Sequence, residues 1–163
     1  MIYFLAHWDW ILERSRADIV DAMKNEYKTI SISPLKENKK NIEKIYYESI
    51  NWDLDRTKIL DLRGVLNLRK ILGKLEKGSI LHIFTLKSLF LYLLSSIFLK
   101  KDLKIVASIT GLGYLFARTK FGSFLKIIIR PFIILKINKL IDILIFQNKE
   151  NLNEFTSYSK FNG

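Results

Sequence analysis

Two hydrophobic periodicities alternate along this chain, one of strand type and one of helix type. Ile2 to Ala6 is a short apolar run that reads as a first strand. From Trp10 to Asn25, Ile11, Leu12, Ile19, Ala22 and Met23 fall near helical spacing and predict one helix. Lys28 to Ser33 alternates isoleucine with small polar residues, as a strand does, and Pro34 ends it. Lys36 to Lys44 is polar and reads as loop, and Ile45 to Ile50 as a short strand. Arg56 to Glu76 carries leucine and isoleucine every three to four residues with basic residues between, a long amphipathic helix that Gly78 stops. Ile80 to Phe84 reads as a buried strand, Leu86 to Leu99 as a hydrophobic helix, and Lys100-Lys101-Asp102 as a turn. Leu103 to Ala107 is the next strand. Phe124 to Leu140 is helical with Pro131 as a kink or break, and Ile141 to Phe146 is a last strand. Asn148 then caps a helix over Lys149 to Phe155.

Strands that alternate with helices predict an α/β fold: a doubly wound, Rossmann-like parallel sheet with helices on both faces. Ile80 to Phe84 and Ile141 to Phe146 are apolar without alternation, which suits the centre of such a sheet. At 163 residues, with no internal repeat and no Ser/Gly-rich linker, residues 1–163 read as a single domain.

Composition narrows the chemistry. There is no cysteine, which excludes disulfides and thiolate metal sites and fits a reducing compartment. The two histidines, His7 and His82, are too few for a multi-histidine metal site. No signal peptide is visible, since Met1 to Ala6 lacks a basic leader and soon meets His7 and Asp9. The most apolar windows, Ile80 to Leu99 and Phe124 to Phe146, contain charges and read as core rather than membrane spans. The net charge of +11 sits wholly beyond residue 60. Between Arg69 and Lys139 there are fourteen basic residues against Glu76 and Asp102, so that half attracts polyanions.

Four segments carry candidate chemistry. Ser108-Ile-Thr-Gly-Leu-Gly-Tyr-Leu-Phe116 follows a strand, and Thr110, Gly111 and Gly113 could offer amides and a hydroxyl to a phosphate or sugar. A turn that needs nothing but positive φ explains the same residues; Phe116 breaks GxGxxG, and no Gly-Lys-Ser/Thr follows. His82-Ile-Phe-Thr-Leu-Lys87 ends another strand, where open α/β sheets bind ligands, and Lys87 either meets a phosphate or opens a helix in solvent. His82 reads as packed in the core. After the first strand come His7-Trp8-Asp9-Trp10, Arg14 and Arg16, a ligand edge in which one of the two tryptophans also anchors the first helix to the sheet. The fourth segment, Gln147-Asn148 before Asn151-Leu-Asn-Glu-Phe155, reads as structural capping.

Together the four resemble family 4 glycosyltransferases of the type that extends lipid-linked glycans. Ser108 to Phe116 looks like the family's "ITGLGxxF" turn, and His82 to Lys87 its "H-x-[FHT]-T-x-K" strand end. Ile145-Phe-Gln-Asn148 with Phe155 resembles "FQN-x-x-D-x-x-x-F", and Trp10 and Arg16 share the spacing of "W-F-F-x-S-H-R". Arg14-Ser15 stands where that pattern has Ser-His, and Asn151 where it has the acid. The resemblance implies the N-terminal, acceptor-side half of a GT-B architecture. It implies transfer of a sugar from a nucleotide-sugar to a lipid-linked or polysaccharide acceptor, the donor-binding half being absent from residues 1–163, so that the chain is expected to be either a truncated enzyme or a subunit that docks a separately encoded donor-binding domain. On this expectation Thr110, Gly111, Leu112 and Gly113 contact the acceptor or its diphosphate, Lys87 neutralises phosphate, and Arg16 and Asp9 line the first loop. No metal or other cofactor is implied for this half.

Charge leads independently to an anionic membrane surface, with the protein peripheral at the inner face of the cytoplasmic membrane. Arg69, Lys70, Lys74, Lys77, Lys100, Lys101, Lys120 and Lys126 are the cations expected on that face. Two other readings stand beside this one. A non-catalytic remnant or interaction protein would carry the same motifs. A nucleic-acid-binding module would carry the same charge, but the basic residues are spread over several helices without a helix-turn-helix, zinc-finger or RNP pattern.

Overall fold

The computed structural model of the chain describes residues 1–35, 39–58, 60–99, 102–110, 137 and 139–156. Six strands form one parallel sheet: β1 (Ile2–Ala6), β2 (Thr29–Ser33), β3 (Glu48–Asn51), β4 (Ser79–Phe84), β5 (Leu103–Ile109) and β6 (Ile143–Phe146). Their order across the sheet is β3-β2-β1-β4-β5-β6. The helices are α1 (Asp9–Arg14), α2 (Ala17–Met23), α3 (Lys39–Ile45), α4 (Leu62–Lys74), α5 (Leu86–Ser95) and α6 (Lys149–Thr156).

The strand order explains the layering. From β1 the chain steps outward to β2 and β3, then returns to the other side of β1 to lay down β4. Right-handed crossovers put the helices of the two directions on opposite faces. One core therefore holds Ile2, Phe4, Ala6 and Phe84 of the sheet with Leu12, Val20, Ile42 and Tyr46 from α1 to α3 and the residue after α3. The other holds Tyr3, Leu5, Ile30, Ile32, Leu81 and Ile83 with Leu68, Leu72, Leu89 and Leu93 of α4 and α5. Register keeps the faces distinct: Phe4 lies opposite His82 and Ala6 opposite Phe84, while Leu5 lies opposite Ile83. The doubly wound parallel sheet expected from the sequence is present.

Several boundaries differ from the sequence reading. The helix expected over Trp10 to Asn25 is two helices, broken at Ser15 and Arg16. Arg16 leaves helical geometry (φ −132°, ψ 0°) and lays its guanidinium over the Phe84 ring, 4.8 Å from its centroid. Lys39–Ile45, read as loop, is α3, which buries a single side chain, Ile42, and so shows almost no apolar stripe. The strand placed at Ile45 begins at Glu48 instead. The helix expected from Arg56 starts at Leu62. Residues before it fold around Asp61, whose carboxylate accepts from the backbone N–H of Asp55 at 2.8 Å and of Arg63 at 3.1 Å, capping α4. Trp52 is fully buried beneath this loop and donates its indole N–H to the Gly64 carbonyl at 2.8 Å. Gly78 turns the chain into β4 at φ +74°, a conformation that favours glycine. Asn148 caps α6, accepting from the Asn151 N–H at 2.7 Å, as the sequence predicted.

Candidate functional site

In a sheet of this order the chain connections leave β1 and β4 in opposite directions, and parallel sheets of this kind bind ligands at that point, outside the carboxyl ends of the strands. The chain places its polar residues at that edge. β1 runs out into His7, Trp8 and Asp9, and β4 into Thr85, Lys87 and Ser88.

Thr85 is the pivot. It caps α5 through its side chain and holds φ at +76°, in the left-handed region that a β-branched residue avoids at a cost on the order of 1–3 kcal/mol. Its hydroxyl lies 2.9 Å from His7 Nδ1 and 3.0 Å from Ser88 Oγ. The His7 backbone N–H donates to Ser88 Oγ at 2.8 Å, so β1, β4 and α5 are tied at one point. Burial, with the positive Lys87 and Arg56 nearby, lowers the His7 imidazole to a pKa of about 4. At neutral pH His7 is therefore an uncharged hydrogen-bonding group.

Two cations stand beside it. Lys87 Nζ donates to the Arg56 carbonyl at 2.6 Å; burial lowers its pKa, while Asp55 and Asp61 pull it back up. The Arg56 guanidinium sits 5.0 Å from the Trp8 ring centroid. Trp8 and Trp10 stack on each other at 5.4 Å and are 37% and 45% exposed. Neither tryptophan anchors the first helix to the sheet, contrary to expectation; Leu12, fully buried, does so instead.

On the α1–α3 face of the same edge lies a second group. His82 is half-buried between Phe4 and Phe84 rather than sealed in the core, and its Nε2 lies 2.8 Å from Ser108 Oγ. Burial first, and Arg16 second, lower its pKa to about 4. Arg16 Nη1 donates to its neighbour Ser15 O at 2.8 Å, but its Nε is buried with no hydrogen-bond partner. Among the described residues no carboxylate pairs with Arg16, and burial lowers its pKa. Ser33, at the end of β2, likewise has a buried hydroxyl without a partner.

Of the sequence-predicted site residues, Arg16 and Lys87 lie at this edge, on either side of β4's end. Thr110 follows β5 at the same edge and is half-buried. Asp9 is buried and accepts from the Trp10 N–H at 2.9 Å, holding the start of α1. Gly111, Leu112 and Gly113 lie outside the described residues, as do Lys100, Lys101, Lys120 and Lys126. The sequence reading holds His7 and Ser108 within longer candidate segments without giving either a role, and it misses Ser88 and Arg56 as members of the edge. Thr85-Leu-Lys-Ser88, a hydroxyl at the cap and another three residues on, is the local signal that could have found Ser88.

No group of three or more His, Cys, Asp or Glu among the described residues is arranged to hold a metal ion. No helix among them is long and apolar enough to cross a membrane. A family model described as glycosyl transferase 4-like matches residues 2–148. No curated protein matches the chain.

Proposed function

We propose, from the premise that the chain belongs to the glycosyl transferase 4-like family, that the crevice between β1 and β4 receives the acceptor of a glycosyl transfer, a glycan carried on a lipid-linked diphosphate. The observation that carries this reading is Arg16. A guanidinium whose Nε is buried and unpartnered is costly unless an anion completes it. It lies over the last residue of β4, where a ligand's phosphate would sit. Both histidines are neutral at pH 7, so anion binding falls to Arg16, Lys87 and Arg56. His7, Thr85 and Ser88 are then left for sugar hydroxyls. Their mutual hydrogen bonds fix the rotamers in advance, which lowers the ordering cost of binding. The reacting hydroxyl would be held still for a nucleotide-sugar donor, and holding it is this domain's share of catalysis.

The test is calorimetric titration with geranyl diphosphate, a short and soluble lipid diphosphate. Arg16→Gln should weaken it by about tenfold or more, the loss of one charge-assisted hydrogen bond. Arg63→Gln, which removes an exposed pair with Asp53, should leave it unchanged. Equal affinity of the parent and Arg16→Gln would remove the diphosphate from the crevice.

A further inference from the structure

We infer that the outer face of α4, together with the turn after α5, docks the protein onto an anionic lipid bilayer. A solvated helix normally shows water a polar face. Here α4 turns Leu62 and Leu66, one turn apart, outward at 68% and 61% exposure, and Leu60 just before the helix is 47% exposed. Lys70 and Lys74 continue the same stripe at four-residue spacing, Arg63 beside it pairs with Asp53 of the preceding loop, and α4 itself contains no acid. An apolar patch continued by lysines along the same stripe matches the two layers of a membrane surface, acyl chains for the leucines and anionic headgroups for the lysines.

Phe98 extends the patch. It is 94% exposed, and its φ of +60° is unusual for a bulky side chain. Arg69 of α4 holds it there by donating to the carbonyls of Ser95 and Ile97, which staples the end of α5 to α4. An aromatic ring presented to water by a strained backbone and a fixed arginine suits an interface anchor.

The direction of the face also fits. α4 runs back toward the start of β4, so its N-terminal end lies at the carboxyl edge of the sheet, near the crevice. Docking on Leu60, Leu62 and Leu66 brings headgroups close to Arg56 and Lys87. Charge complementarity decides for lipid over a second copy of the chain, because two copies meeting here would oppose cation to cation.

Co-sedimentation with vesicles tests this, using the full chain and no glycan lipid, so that it reads the surface and not the acceptor site. One vesicle is pure phosphatidylcholine, the other equal parts phosphatidylcholine and phosphatidylglycerol. The parent should pellet with the anionic vesicle and be released by salt. Leu66→Ser with Phe98→Ser should weaken binding about tenfold or more, and Lys70→Glu with Lys74→Glu should abolish its salt dependence. Arg16→Gln should pellet like the parent, which keeps this result separate from the crevice reading. Unaltered urea unfolding of the surface variants shows that they fold. The proposal is overturned if the parent stays in the supernatant, if it pellets equally with neutral vesicles, or if the Leu66/Phe98 variant binds as the parent does. It is also overturned if sedimentation velocity shows a dimer that this variant dissolves.

Discussion

Acidification from pH 7 to pH 5 should destabilise the fold through its two histidines. Both imidazoles have a pKa of about 4 in the native protein against the ordinary 6.5. The sign follows from proton counting. Between those values the unfolded chain binds more protons than the folded one, so stability is complete above about pH 6.5 and falls as pH drops toward 4. With these values each histidine contributes at most about 1.8 kcal/mol of loss between pH 7 and 5. Both rings keep some contact with water, which screens the effect and brings the pair to about 2 kcal/mol. Asp55 and Asp61 have lowered values and act later: their contribution is present above about pH 4 and lost below it, outside this window. Urea unfolding at a series of pH values measures the slope directly. His82→Gln keeps a hydrogen-bonding group for Ser108 and should remove about half of it. A free energy that stays within about 0.5 kcal/mol from pH 7 to 5 would refute the burial argument for both residues, as would an unchanged slope in His82→Gln.

Two further substitutions probe the loop that carries Arg56 to the crevice. Trp52→Phe removes the indole N–H from the Gly64 carbonyl and leaves a void, and should cost about 2 kcal/mol in urea unfolding; a loss under about 0.5 kcal/mol would mean that the loop does not depend on it. Gly64→Ala would set a methyl 2.5 Å from Leu54 Cδ1 and 3.2 Å from Asp61 Oδ2. Leu54 is buried and cannot swing away, so crowding of about 2 kcal/mol should outweigh a helix-propensity gain of about 1 kcal/mol, and a higher thermal midpoint would contradict this.

The central strands are legible because β1, buried on both faces, is one apolar run and β4 nearly so, whereas β6, expected at the centre, is a half-exposed edge strand. α3 is not legible, because a helix that buries Ile42 alone writes no stripe into the sequence. The stretch from Arg56 to Asp61 reads as helix in the sequence because it leads into one. Its conformation is set instead by Asp61 bonding to backbone amides on both sides, a tertiary arrangement that periodicity does not encode. In the site, Lys87 could be found because it follows the end of β4 at short range, and Arg16 because its spacing from Trp10 resembles the family's first helix. His7 and Ser88 could not be joined from the sequence, since they are eighty-one residues apart and meet only when β1 pairs with β4. His82 looked like core because its neighbours are apolar; its bond to Ser108 depends on the β4–β5 register.

The most direct measurement is an amide chemical-shift map of the labelled protein titrated with a monosaccharide on a short prenyl diphosphate. The account predicts shifts gathered at Ala6, His7, Arg16, Thr85, Ser88 and Thr110, at the carboxyl ends of β1, β4 and β5. Shifts gathered instead at Met1, Lys28, Ser79 and Asp102, at the opposite edge of the sheet, or no shifts at all, would contradict it.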